Sequence, residues 1–210
     1  MIRIVVADDH AIVRKGLVQI LSDTEHLRVV GEAENAADAM RVVRQESPDV
    51  LLLDVAMPGK SGIEALKPLK QEFPRLKILV LSMYPEDQFG VRAIKAGALG
   101  YLNKASAPDR LIEAVERVAA GKRYITPELA ELLADSVDSD GETPAHQLLS
   151  DREFQTLKLI ASGKMLSEIA DILAISPKTV SVYRARLLEK MKLANNAELT
   201  HYAIKHGLVD

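Results

Sequence analysis

VLLLDVAMPGKSGIE, residues 50–64, decides the reading of the fold. Val50–Leu53 is a short apolar run without polar alternation, which reads as a strand covered on both faces. It stops on an acid, Asp54, and sequence of helical period follows. The same unit recurs on either side. Apolar runs at Arg3–Ala7, Arg28–Ala33, Ile78–Leu81 and Gly100–Leu102 alternate with amphipathic segments. In the last of these, Leu111, Ile112, Val115, Val118 and Ala119 form one stripe, with Pro108 near the start and Gly121 just past the end, as helix termini prefer. Pro68 falls inside the third helical segment and is expected to kink or shorten it. Five β–α units in sequence imply an α/β fold: a doubly wound, five-stranded parallel sheet with helices on both faces. The functional crevice of such a sheet lies at the carboxyl ends of its strands.

That rule selects a set of residues. Asp8 and Asp9 end the first strand, Asp54 the third and Ser82 the fourth, and Lys104 follows the fifth. Three carboxylates at one edge repel one another and call for a cation, and hard oxygen donors suit Mg²⁺. Lys104 can give a phosphoryl group a further positive charge, and Ser82 a hydroxyl hydrogen bond. Asp54 is then the natural covalent acceptor, because a carboxylate can form an acyl phosphate. A lone Asp after a strand is usually a turn residue and a lone Lys is usually solvated; the joint placement carries the argument.

The pattern changes at Thr126. Thr126-Pro127 can start a short helix through Ala134, and DSVDSDGETPAHQ (135–147) is acidic and turn-rich, the composition of a linker. From Leu149 the period is helical throughout. Domains are therefore expected at 1–125 and 149–210, joined by a linker at 126–148. Ser150 and Glu153 have capping-box spacing. Ser167 can cap a short helix, and Ser176 with Pro177 can start a longer one. That longer helix buries Val180, Tyr183, Leu187 and Met191, leaving Lys178, Ser181, Val182, Ala185 and Arg186 on its other faces. Ser176–Lys192 holds Lys178, Arg184, Arg186, Lys190 and Lys192 against Glu189 alone, in a chain of net charge −3. Two short helices joined by a tight turn, the second basic, suit the major groove of DNA.

Composition sets the frame. The chain has 210 residues and no cysteine, so disulfides and thiolate metal sites are excluded and a reducing cytoplasm is the expected setting. No apolar run approaches the ~18 residues of a membrane helix, and MIRIVVADDH does not read as a signal peptide. His10 follows the acidic pair and could sit near the pocket, whereas His26, His146, His201 and His206 show no ligand-like spacing.

ADDH (7–10), LLLDVAMPGKSGIE (51–64), LSMY (81–84) and AGALGYLNK (96–104) resemble the receiver domain of response regulators, over about residues 2–121. The resemblance implies a flavodoxin-like receiver phosphorylated on Asp54 by a sensor histidine kinase. It implies Mg²⁺ held by Asp9, Asp54 and the backbone carbonyl of Ala56, with Asp8 assisting through water. Ser82 and Lys104 would contact the phosphoryl group, and Tyr101 would repack when Ser82 moves. Pro58 and Gly62 match the loop after the phosphorylation site. LSDRE, LIASGK, EIADILAIS, PKTV and NNAEL, within about 148–208, resemble the DNA-binding domain of LuxR/FixJ-type regulators. Together the two halves resemble the NarL/FixJ class: transcriptional regulators that bind double-stranded promoter DNA and pair as homodimers when phosphorylated or DNA-bound. By position, Ser181, Val182 and Ala185 would approach base edges, and Lys178, Thr179, Arg184 and Arg186 would mainly meet phosphates. A final helix over 196–206 would form the two-fold contact.

Two other readings compete. An aspartyl-phosphate phosphatase of the haloacid-dehalogenase kind needs a second acid two residues after the nucleophile, where this chain has Ala56. A helical module that contacts only protein would leave the basic helix without DNA.

Overall fold

The computed structural model describes residues 1–55, 57, 62–84, 86–138 and 144–209. Ala56 and Pro58 lie outside the described residues. The chain divides into two compact units, Met1–Asp138 and Ser139–Asp210.

The first unit is the expected parallel sheet. Its strands are β1 (Ile2–Ala7), β2 (Leu27–Ala33), β3 (Val50–Asp54), β4 (Lys77–Ser82) and β5 (Gly100–Asn103), in the spatial order β2-β1-β3-β4-β5. All four pairings are parallel. β3 is the central strand, and all five of its residues are buried, which is why Val50–Leu53 shows no alternation. β2 lies at the edge and is only partly buried.

Helices α1 (Ala11–Ser22), α2 (Ala36–Glu46), α3 (Gly62–Glu72), α4 (Glu86–Lys95) and α5 (Ala107–Ala119) follow the strands in turn. Leu17 and Leu21 of α1 and Leu111, Val115 and Val118 of α5 pack with Ile4, Val6, Leu52, Leu79 and Leu81 on one face of the sheet. Strand alternation turns Val5, Leu51, Leu53 and Val80 to the other face, and they are also fully buried. Pro68 does not end α3, which continues to Glu72. The N–H that proline lacks would have served the carbonyl of Glu64, and Glu64 is on the exposed side of the helix, where water can take its place.

Beyond α5 the chain returns to the sheet. Tyr124 forms a bridge with Gly100 beside β5. A further helix, α6 (Pro127–Asp138), then packs on α4. The short helix expected after Thr126 within the joining segment thus runs further, to Asp138, and groups with the sheet.

The second unit is helical: α7 (Asp151–Ala161), α8 (Leu166–Ile172), α9 (Pro177–Met191) and α10 (Asn196–Lys205), preceded by a 3₁₀ turn at Ala145–Leu148. Phe154, Leu157, Ile160, Ile169, Leu173, Val180, Leu187, Met191, Leu199 and Ala203 are among its buried apolar residues. Tyr183 is half-buried, less deep than expected. The Ser150–Glu153 capping box starts α7, and Ser176 caps α9 by accepting from the Thr179 N–H. Ser167 does not cap α8. That helix starts after Met165, because the Glu168 carboxylate reaches back 2.7 Å to the Met165 N–H.

Candidate functional site: an acidic pocket and a basic helix

The sheet delivers its acids to one edge. Asp54 is the last residue of β3 and pairs with Leu81 of β4, one residue before Ser82. Ser82 pairs with Asn103 of β5, next to Lys104. Asp8, Asp54 and Ser82 are all fully buried. Lys104 Nζ lies 2.7 Å from Asp8 Oδ2 and 2.8 Å from Asp54 Oδ2. Burial works against the charged ammonium, but the carboxylates of Asp54 and Asp8 outweigh it and hold Lys104 above the ordinary lysine value. Lys104 is therefore a fixed cation between two buried acids.

Asp9 is more open and faces His10, whose Nδ1 is 2.8 Å from Asp9 Oδ1. One ligand atom each from Asp8, Asp9, His10 and Asp54 lies within 4.8 Å of the other three. Such a donor set, mostly hard carboxylate oxygen, is compatible with Mg²⁺. Gly62 closes the floor. A Cβ there would stand 1.9 Å from the Asp54 carbonyl oxygen, so only glycine lets the start of α3 approach the end of β3 this closely.

Two supporting roles escaped the sequence reading, that of Arg14 and the backbone role of Tyr84, a residue of the LSMY motif. Arg14 of α1 is buried, and its Nη1 donates to the Asp8 carbonyl at 2.6 Å while Nε and Nη2 meet Glu32 and Glu34. It anchors the turn that carries Asp8 and Asp9. The only signal was an arginine one helical turn into an otherwise apolar helix face. Tyr84 has the second. Its N–H donates to Ser82 Oγ at 3.0 Å, and its carbonyl accepts from the Tyr101 hydroxyl at 2.9 Å. Its ring lies 5.0 Å from that of Phe89 in α4. Tyr101 itself is fully buried. Ser82 and Tyr101, far apart in sequence, therefore meet through one residue.

In the second unit, α9 exposes Lys178, Ser181, Val182, Ala185 and Arg186, while Thr179 and Arg184 are half-buried. The Ser181 hydroxyl donates to the Pro177 carbonyl, leaving its oxygen able to accept. Arg184 is engaged already: its Nε donates to Asn196 Oδ1 of α10 at 2.6 Å. Lys190 Nζ binds Glu153 Oε2 at 2.7 Å and so faces α7.

Residues 4–116 match the family model of the response regulator receiver domain, and residues 147–203 that of the bacterial regulatory proteins of the luxR family. The chain belongs to the response regulators. It is 40% identical to the response regulator GacA of Pseudomonas aeruginosa, across 100% of this chain and 99% of that one. It is 38% identical to the response regulator UvrY of Escherichia coli K12, across 99% and 96%. Among solved structures it is similar to RcsB from Salmonella enterica serovar Typhimurium bound to the promoter rprA in the presence of the phosphomimetic BeF₃⁻. There the TM-score is 0.62 and the identity 30%, covering 96% of this chain and 97% of that one. This response regulator is thus a two-component transcriptional regulator of the NarL/FixJ class, with a receiver and a LuxR-type helix-turn-helix domain. Its family consists of regulators rather than classical enzymes. Among the described residues, no helix is long and apolar enough to cross a membrane.

Proposed function

We propose that Asp54 is the phosphoacceptor of this response regulator, that a sensor histidine kinase supplies the phosphoryl group, and that the modification controls promoter binding by α9. The arrangement of Lys104 between Asp8 and Asp54 carries this reading. An Asp54 oxygen attacks phosphorus as the phosphohistidine N–P bond breaks, and the electron pair leaves with the imidazole nitrogen. Lys104 neutralises the transferred oxygens, and Ser82 donates its hydroxyl to one of them. Asp9, Asp54 and the Ala56 carbonyl would hold Mg²⁺, with Asp8 assisting through water; the ion supplies charge neutralisation during transfer. The receiver assists only its own phosphorylation and dephosphorylation.

The functional domains are 1–125 and 149–210; the joining segment 126–148 begins with α6, which packs on the first of them. On α9, Ser181, Val182 and Ala185 read base edges, and Lys178, Thr179, Arg184 and Arg186 meet phosphates. The protein works as a homodimer when phosphorylated or DNA-bound, and in the cytoplasm, where a chain without cysteine has nothing to lose to reduction.

Incubation with acetyl phosphate and intact-mass measurement tests the acceptor. One phosphoryl group is expected on the wild type with Mg²⁺, and none on Asp54→Asn. Equal labelling of that variant, or full labelling in excess chelator, would refute the assignment.

A further inference from the structure

Helix α6 packs closely on α4. Leu129 of α6 is fully buried. It lies against Gly90 of α4, where an added Cβ would stand 2.7 Å from Leu129 Cδ1 and 3.0 Å from Cδ2. The Thr126 hydroxyl, just ahead of α6, donates to the Glu86 carboxylate in the first turn of α4. Tyr124 holds the approach: its backbone exchanges hydrogen bonds with Leu99 and Tyr101 alongside β5. Gly90 neighbours Phe89, which is fully buried and packs on Tyr84. Tyr84 in turn donates to Ser82 Oγ and accepts from Tyr101. A continuous set of packed groups therefore runs from the acidic pocket to the helix that leads into residues 139–148.

We propose that α6 is a latch on α4, seated when Asp54 is unmodified and released when it is phosphorylated. The inference rests on Asp54 being the phosphoacceptor. Once a phosphoryl group draws the Ser82 hydroxyl towards Asp54, the Tyr84 N–H loses its acceptor. The Tyr84 ring and Phe89 must then settle into a new arrangement. Gly90 moves with Phe89, and a shift of α4 alters its contact with Leu129. Approach produces a clash and withdrawal opens a gap, so either movement weakens seating. Both states of α6 are biased by one element, which is the requirement for coupling. Release of α6 detaches Pro127–Asp138 from the first unit.

The chain has no cysteine, so spin labels go only where they are introduced. Arg110→Cys on α5 and Glu131→Cys on α6 are exposed positions. The distance between labels in the full-length protein is measured with and without acetyl phosphate and Mg²⁺, and intact mass is read from the same samples. A single narrow distribution is expected before phosphorylation and a longer, broader one after. Gly90→Ala should give the broad distribution without phosphate, and phosphorylation should then add little. A narrow, unmoved distribution in protein shown by mass to be phosphorylated would overturn the latch while leaving the acceptor assignment intact. Absence of any phosphorylation would overturn both. Leu129→Ala, which removes the knob without touching α4, gives the second check: a distribution as narrow as wild type would also count against the latch.

Discussion

Lys104 balances two buried carboxylates, and its removal should be felt most where no cation can replace it. For Lys104→Met we expect a loss of about 3–5 kcal/mol in chelator, the usual cost of stranding buried charge. Saturating Mg²⁺ should restore much of it. Denaturant unfolding with and without Mg²⁺ makes the comparison; an equal loss in both conditions would mean that the cation does not occupy the acid pocket. The acids themselves were legible in the sequence because sheet topology fixes which strand ends share an edge. Arg14 was not, and neither was the backbone role of Tyr84, which the LSMY motif had only placed near the pocket. Each acts through a backbone carbonyl or N–H, and a backbone partner leaves no trace in residue type. The His10–Asp9 contact was open to suspicion from adjacency alone, but its geometry depends on the backbone at the start of α1, where His10 is the N-cap.

Among the elements, α7 and α9 are tied through Glu153. Burial pushes its carboxyl up, but hydrogen bonds from Lys190 and Ser150 more than offset this and hold it below the ordinary 4.5. A carboxyl depressed in the folded state adds stability that is complete above its unfolded value and is lost as pH falls through the folded one. Wild-type stability should therefore drop on acidification below about 4.5, and Glu153→Gln should flatten that part of the profile. Near neutrality the same variant should cost about 1 kcal/mol, the typical worth of a cap. Thermal unfolding across pH reads both effects; parallel profiles for the two proteins would count against the tie.

The α9 surface makes a second element-scale prediction. Lys178 and Arg186 are exposed, so each removal should lower the log–log salt slope of DNA binding by about 0.9. Lys178→Ala should weaken all sequences similarly, whereas changes at Ser181 and Val182 should shift sequence preference. Arg184 differs, because its Nε is committed to Asn196. Arg184→Ala should destabilise the packing of α10 as well as weaken binding. A salt slope unchanged by removing Lys178, Arg184 and Arg186 together would exclude this face. Helix periods and caps were readable here because Ser150 and Ser176 act locally. The start of α8 was misread at Ser167, since the cap there comes from a glutamate reaching backwards past a methionine. Likewise Pro68 gave a break signal that the exposed side of α3 absorbs.

At the scale of the whole molecule, the fold class of both halves followed from periodicity, but the fate of residues 126–138 did not. A short helix from Thr126-Pro127 through Ala134 was expected inside the joining segment, but not that it runs on to Asp138 and that Leu129, against the glycine opposite it, packs it with the first unit. Communication between the halves needs two states that differ in their contacts. If the unmodified receiver masks α9, the fragment 149–210 should bind target DNA at least as well as the unphosphorylated full-length protein at matched salt. Much weaker binding by the fragment would leave dimerisation as the basis of activation, with two half-sites about one helical turn apart. One titration tests control of DNA binding through Asp54 most directly. Full-length protein is titrated onto labelled promoter DNA with and without acetyl phosphate, beside the Asp54→Asn variant. Phosphorylation should tighten binding of the wild type and leave the variant unchanged. Equal affinity with and without phosphate in protein shown by mass to be modified, or equal tightening of Asp54→Asn, would contradict control of DNA binding through Asp54.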